Sequence, residues 1–435
     1  MAFTCTVSPG AADEAEPADV ESLALELQSL KEQLAALEPL RERVAQLERE
    51  LAAARERAES ATLANAGTQR DLVATQSAAA MEAPAEEDAD DGISIGGALR
   101  YTYYWGNYDE RVEANRGESG LDLFRINAEG RIDDFLLSAE YRYYPFMQVL
   151  HHGWFGYEFE NGSRAEAGVT RVPFGLLPYA SHNFWFGTPY YLGFADDYDL
   201  GAKWVYPNGD WEWQAAFFKN DEFASPTQLE RYSFDVVAVG DTRNEETDQF
   251  NLRGAYTFGV GTSCTHELGA SGQYGRIYNA DTDRHGDHWA AAAHLDSRCG
   301  RWNVQLQASR YRYAPENPPG VPDNVIRLGG FATSYDAAAR ASLFVANVAY
   351  NVPLSSGFID QLTCYNDYSI VVKDEDSFRD SELNTTGCLL GVGPLYLYLD
   401  FIQARNMVFF GDGSLAGDGE DGWKRRFNLN VGYYW

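Results

Sequence analysis

Along residues 427–435 apolar and polar side chains alternate without a break: Phe427, Leu429, Val431, Tyr433 and Trp435 on one face, Asn428, Asn430, Gly432 and Tyr434 on the other. A period of two predicts a strand with one apolar and one wet face. A half-buried soluble sheet and a bilayer-spanning wall both read this way, but Tyr433 and Trp435 stand where a membrane barrel needs an interfacial aromatic girdle. The same alternation starts at residue 93. Ile93, Ile95, Gly97, Leu99, Tyr101, Tyr103 and Trp105 form the lipid face of a first strand, and Ser94, Gly96, Ala98, Arg100 and Thr102 its water face.

Further strands are predicted near 121–131, 135–145, 149–159, 164–172, 199–206, 211–219, 249–258, 266–275, 287–295, 301–313, 340–352, 359–372, 381–391, 394–405 and 425–435. With the first they make sixteen, an even number. Connectors alternate between tight ones, at 160–163, 207–210 and 353–357, and long ones, at 107–120, 173–198, 220–248, 314–339 and 406–424. Short turns at one end and long loops at the other are the signature of a single-chain antiparallel transmembrane β-barrel, here of sixteen strands and wide enough for an aqueous lumen. Both ends of the barrel segment then fall on the short-turn, periplasmic side.

Ahead of the barrel the period changes. Val20, Leu27 and Leu34 occupy one core position of a heptad, and Leu23, Leu30 and Leu37 the other. Leu40, Val44, Leu47 and Leu51 continue the seam after a three-residue slip near Pro39. Residues 20–62 are therefore expected to be an α-helical coiled coil in the periplasm. Residues 1–19 have no period and are expected to be disordered. Residues 63–91 are rich in Ala, Pro and acid and suit a flexible linker to a barrel of residues 92–435. Met1 to Pro9 lacks the basic, then apolar, pattern of an export signal, so the start is expected to be trimmed or misplaced.

Composition agrees with many aromatic strands and turns: Tyr 27, Phe 24, Trp 10 and Gly 40 beside Met 4. No run of eighteen apolar residues exists to make a membrane helix. The net charge of −31 comes from 20 acidic against 7 basic residues through Asp91, and 45 against 27 beyond it. That balance excludes nucleic acid as a partner, because binding it needs a basic surface. Cys264, Cys299, Cys364 and Cys388 are disulfide candidates. The first two are expected in periplasmic turns two hairpins apart. The second two sit at equal distances from the loop centre near Asp376, so they face each other across successive strands. Free thiols remain the alternative, since Cα separation is not legible in a sequence.

The segments RVPFGLLPY at 171–179 and DYDLGAKW at 197–204, with YNDYS at 365–369 and GPLYLYLDF at 393–401, resemble the phosphate-selective porin O/P family over residues 93–435. The closing strand also resembles the carboxy-terminal assembly signal of bacterial outer-membrane barrels. The family resemblance implies a homotrimeric outer-membrane channel whose third loop folds inward. It leaves the solute open.

By strand parity Arg100, Arg125, Arg142, Lys203 and Arg253 line the pore. Hairpin pairing is expected to set Arg125 near Thr102, and near Tyr141 and Arg142 at similar heights. Tyr179, Trp185, Asp196, Asp197 and Asp199 belong to the constricting loop, so that a basic wall would face an acidic loop and orient dipolar solutes. Ordinary, mutually paired lumen charges are the alternative. The loop aromatics are expected chiefly to anchor it to the wall; guiding sugars is the other reading. A single bulge would flip every face beyond it. His151 and His152, adjacent on a strand, are expected to point to opposite sides.

No catalytic motif, cofactor or resident metal is expected. The chain is read as a diffusion channel for small hydrophilic solutes, including anions such as phosphate. The alternatives are a sugar-preferring porin, or an envelope tether acting through the coiled coil. Its expected partners are outer-membrane lipid and lipopolysaccharide, copies of itself, and peptidoglycan or a periplasmic protein reached by the coiled coil.

Overall fold

In the computed structural model the described residues are Gln28, 92–354, 357–419 and 421–435. The coiled coil at 20–62 and the linker at 63–91 lie outside them, Gln28 apart.

The strands are β1 (Gly92–Gly106), β2 (Glu118–Ile132), β3 (Phe135–Tyr143), β4 (Gln148–Glu158), β5 (Arg164–Arg171), β6 (Tyr198–Asn208), β7 (Trp211–Asn220), β8 (Asp235–Val236), β9 (Asn244–Phe258), β10 (Cys264–Asn279), β11 (Arg284–Cys299), β12 (Trp302–Ala314), β13 (Val325–Gly330), β14 (Thr333–Ala338), β15 (Arg340–Asn351), β16 (Gln361–Lys373), β17 (Ser381–Val392), β18 (Leu395–Arg405) and β19 (Lys424–Tyr434). Sixteen of them close into one antiparallel barrel, each predicted strand matching an observed one. β8, β13 and β14 form a separate three-stranded sheet. That sheet comes from the long connectors, where the period-two reading had placed only loop.

Closure is made by β1 and β19, paired from Ala98–Tyr434 to Gly106–Arg426. Gly97 and Trp435 extend the seam, each donating its N–H to the other's carbonyl. With no free edge, every strand's backbone groups find partners inside the wall, as a bilayer requires.

The faces follow composition. On β12 and β15 buried and exposed residues alternate almost perfectly. The outer surface carries Ile95, Phe135, Phe155 and Phe250 at 65 %, 65 %, 67 % and 58 % exposure, too much contiguous apolar surface for water. Near the short turns Trp211 stacks on Trp213, Trp204 on Tyr206, and Trp302 meets Tyr350. These rings form an interfacial girdle.

Candidate pore and its constriction

The segment 172–197, between β5 and β6, leaves the wall and crosses the lumen. Its neck is tied by the Val172 N–H donating to the Asp197 carbonyl. Gly175 then turns at φ +62°, where a β-carbon would lie 2.4 Å from Gln307 Oε1. Only glycine meets both conditions without strain. The Gly175 N–H donates to Ser271 Oγ on β10 (2.8 Å), the Leu176 N–H to Gln307 Oε1 on β12 (2.8 Å), and Arg253 Nε on β9 to the Gly175 carbonyl (2.9 Å).

Further on, the loop is moored to β16. Asp367 accepts from the His182 N–H (2.6 Å), His182 Nδ1 (2.8 Å), the Asn183 N–H (3.0 Å) and Asn183 Nδ2 (2.7 Å). In the ring order β5 and β16 are half a circuit apart, so the loop spans the diameter. Burial pushes the His182 imidazole down, but the Asp367 hydrogen bond and charge, with Asn303, outweigh it and leave His182 above its ordinary value.

The loop's aromatics pack into a plug. Phe186 stacks on Tyr190, Tyr179 meets Phe186 edge-on, Tyr190 meets Phe234 beside β8, and Trp185 meets Phe410. Tyr335 of β14 donates to the Tyr191 carbonyl at 2.6 Å. Tyr179 and Trp185 are 8 % and 0 % exposed. Their ring faces are occupied by one another and by the sheet over the mouth, which is the geometry of an anchor. Arg426 on β19, which no sequence pattern singled out, adds a clamp. Its guanidinium lies 3.9 Å from the Tyr104 ring and 4.4 Å from the Trp185 ring.

The pore-lining candidates are all buried, and each has an acidic neighbour. Arg100 Nε is 2.9 Å from Asp122 with both side chains fully buried, and Arg125 is 3.2 Å from Glu140, which also pairs with Arg142. Lys203 is 2.9 Å from Glu166, and Arg253 is 2.6 Å from Glu267 and 3.3 Å from Glu212. Desolvated charges persist when paired, so the wall is a row of ion pairs. Arg125 stands across from Arg142 on β3, but opposite Ala98 on β1; Thr102 faces Gly120 instead. The expected height of Arg125 beside Thr102 was therefore off by four residues. β2 begins at Glu118, ahead of the predicted 121, and a bulge between Arg100 and Tyr101 shifts the register with β1.

The three aspartates divide. Asp196 faces the wall, accepting from Tyr198 (3.0 Å) and Tyr232 (2.5 Å) with Arg171 at 3.8 Å. Asp197 and Asp199 turn instead toward Asp235 of β8. Burial, then the neighbouring Glu246 and Glu222, hold the Asp197 carboxyl well above its ordinary value.

His151 and His152 correct a parity inference. His152 pairs with Glu140 and Leu150 with Tyr141, leaving His151 as the extra residue of a bulge. Both rings therefore reach the lumen, Nδ1 to Nδ1 at 2.8 Å. Ser138 Oγ, 2.8 Å from His152 Nε2, completes a Ser/His contact that sequence spacing did not announce.

Beneath the loop are two recesses. One of about 350 Å³ is lined by five arginine and lysine side chains against three carboxylates, Arg125, Arg142, Arg171 and Lys203 among them. The other, about 430 Å³, has amides, hydroxyls and His182, with Arg298 as its one arginine or lysine. The structure also bonds Cys264 to Cys299 and Cys364 to Cys388. Each pair is directly opposite across neighbouring strands. Cys264 and Cys299 close one hairpin, not two.

No family model matches the chain, and no curated protein does. Solved structures do. OmpT of Vibrio cholerae in a trimer form matches at 12 % identity over 80 % of this chain and 100 % of that one, with a TM-score of 0.50. The outer-membrane channel DcaP of Acinetobacter baumannii matches at 10 % over 79 % and 97 %, TM-score 0.52. An anion-selective porin from Comamonas acidovorans matches at 9 % over 80 % and 100 %, TM-score 0.51. At such identities the likeness is one of fold. The chain shares the sixteen-stranded antiparallel barrel fold of these outer-membrane proteins.

Proposed function

We propose that the protein is an outer-membrane porin that passes small hydrophilic solutes, with a preference for small anions of which phosphate is one. The observation that carries this reading is local charge. The whole chain is strongly acidic, yet the recess under the constriction holds five arginine and lysine side chains against three carboxylates. In a narrow passage with low-dielectric walls the nearest charges set selectivity, whatever the distant loops carry. Arg125, Arg142, Arg171 and Lys203 would meet the solute beside the loop. The anion-selective Comamonas porin, alike in fold, supports the direction.

A homotrimer is part of the reading, supported by the trimer form of the Vibrio cholerae protein. The coiled coil at 20–62 would lie in the periplasm and serve assembly or reach the cell wall. The test is the reversal potential of purified protein in a planar bilayer under a KCl gradient, repeated with phosphate in place of chloride. Anion preference with block by phosphate is the expected result. Cation preference would overturn it, and the second recess, with its amides, hydroxyls and single arginine, would then favour uncharged solutes such as sugars.

A further inference from the structure

Where the inward loop returns to the wall, the molecule concentrates carboxylates that its own cations do not balance. Asp197 ends the loop, Asp199 begins β6 and Asp235 lies on β8. One carboxylate oxygen from each falls within 4.8 Å of the others, and all three residues are buried. Glu222 and Asp221 lie alongside. Among the described residues, the ion pairs reaching this group come from one guanidinium, Arg231, which is 2.6 Å from Asp221, 3.5 Å from Glu222 and 3.3 Å from Asp235. Asp197 and Asp199 are left outside that network.

A second observation is independent of the count of charges. Oδ1 of Asp197 and Oδ1 of Asp199 are buried and take no hydrogen bond from any described residue, in side chains only 8 % and 2 % exposed. On Asp199 the other oxygen has a single long contact, from Gln249 Nε2 at 3.4 Å. A buried polar acceptor left unmatched is costly, so two such oxygens in one buried cluster of three carboxylates leave room for a cation as their partner.

We propose that Asp197, Asp199 and Asp235 bind a calcium ion that ties the end of the constricting loop to the sheet over the mouth. The geometry selects the ion. Ligands sharing one Ca²⁺ at roughly 2.3–2.6 Å lie at most roughly 5 Å apart, which the observed spacing satisfies. The donors are all oxygen, which argues against zinc and other metals that favour nitrogen and sulfur. Magnesium keeps most of its water and takes one or two carboxylates, a poor match to three converging in a buried site. The bound ion would join two separate pieces of chain that otherwise repel one another, holding the loop's return across the lumen in one position.

The test uses the full chain, purified in detergent and stripped with EGTA, then titrated with calcium chloride by calorimetry. The expected result is one saturable site per chain that is weakened at least tenfold in Asp199→Asn and Asp235→Asn and unchanged in Asp412→Asn, a substitution in an exposed loop. Magnesium should need at least tenfold higher concentration. No saturable uptake by the wild type at millimolar calcium overturns the proposal, and so does uptake that survives both substitutions. Should either variant fail to fold, hydrogen exchange on the wild type decides. Calcium should slow amides of residues 221–238, including Val237, while leaving β12 unchanged, and no slowing there would be equally fatal.

Discussion

Asp367→Asn tests the claim that one carboxylate moors the constricting loop. Asp367 receives four close hydrogen bonds from His182 and Asn183. An asparagine keeps the shape but offers one acceptor oxygen, and its NH₂ meets donors. Hydrogen bonds to a charged acceptor contribute about 1.5–3 kcal/mol each, and bonds sharing one acceptor are not additive, so a net loss of about 3 kcal/mol is expected. At about 1.4 kcal/mol per factor of ten, local opening of the loop rises roughly 100-fold. Hydrogen exchange reads it directly: amides of residues 176–188 should exchange about 100-fold faster, whereas those of β10 and β11 should keep their protection.

The same mooring has a pH signature. The His182 value is raised in the folded protein, so its contribution is fully present below the ordinary value of 6.5 and is lost as the pH rises through the raised one. Loop exchange, corrected for the intrinsic rate, should therefore accelerate above neutral pH in the wild type and lose that dependence in Asp367→Asn. A change under threefold in 176–188, or an equal loss of protection around the whole wall, would refute the mooring.

Other outcomes are as specific. Lys203→Met removes a cation from the basic recess and should lower the anion-to-cation permeability ratio about fourfold, about what one charge at roughly 5 Å is worth in water. Glu140→Gln leaves Arg125 and Arg142 unbalanced and should raise the ratio by a similar factor; reversal potentials of the two variants moving the same way would contradict the assignment. Changing Cys264 and Cys299 to serine removes a link across 35 residues of sequence and should cost about 4 kcal/mol by chain entropy, read as a lower midpoint in heat-modifiability gels with single-channel conductance unchanged. Deleting residues 20–62 should dissolve the trimer on native gels if the coiled coil assembles it, or weaken envelope cohesion at constant conductance if it is a tether.

The strands and their faces were readable because a bilayer-spanning wall imposes a period of two, and each strand carries that period in its own residues. The rule assumes unbroken pairing, and it failed where pairing is broken. At His151 one extra residue turned a ring into the lumen, and at Arg125 the overlap of β1 and β2, set by how far the long loop lets them slide, moved its partner from Thr102 to Ala98.

By itself, then, the sequence determined the number of barrel strands and, away from the bulges, which side chains alternate between the two faces of the wall. Local periodicity and composition suffice for these. Only the tertiary structure decided that Arg100, Arg125, Arg142, Lys203 and Arg253 each have an acidic partner, that Asp367 and Arg426 hold the constriction, that Cys264 lies against Cys299, and that Asp197 and Asp199 converge on Asp235. Those are contacts between residues far apart in the chain. They depend on register around a closed ring and on where a folded loop comes to rest, quantities that no single strand encodes.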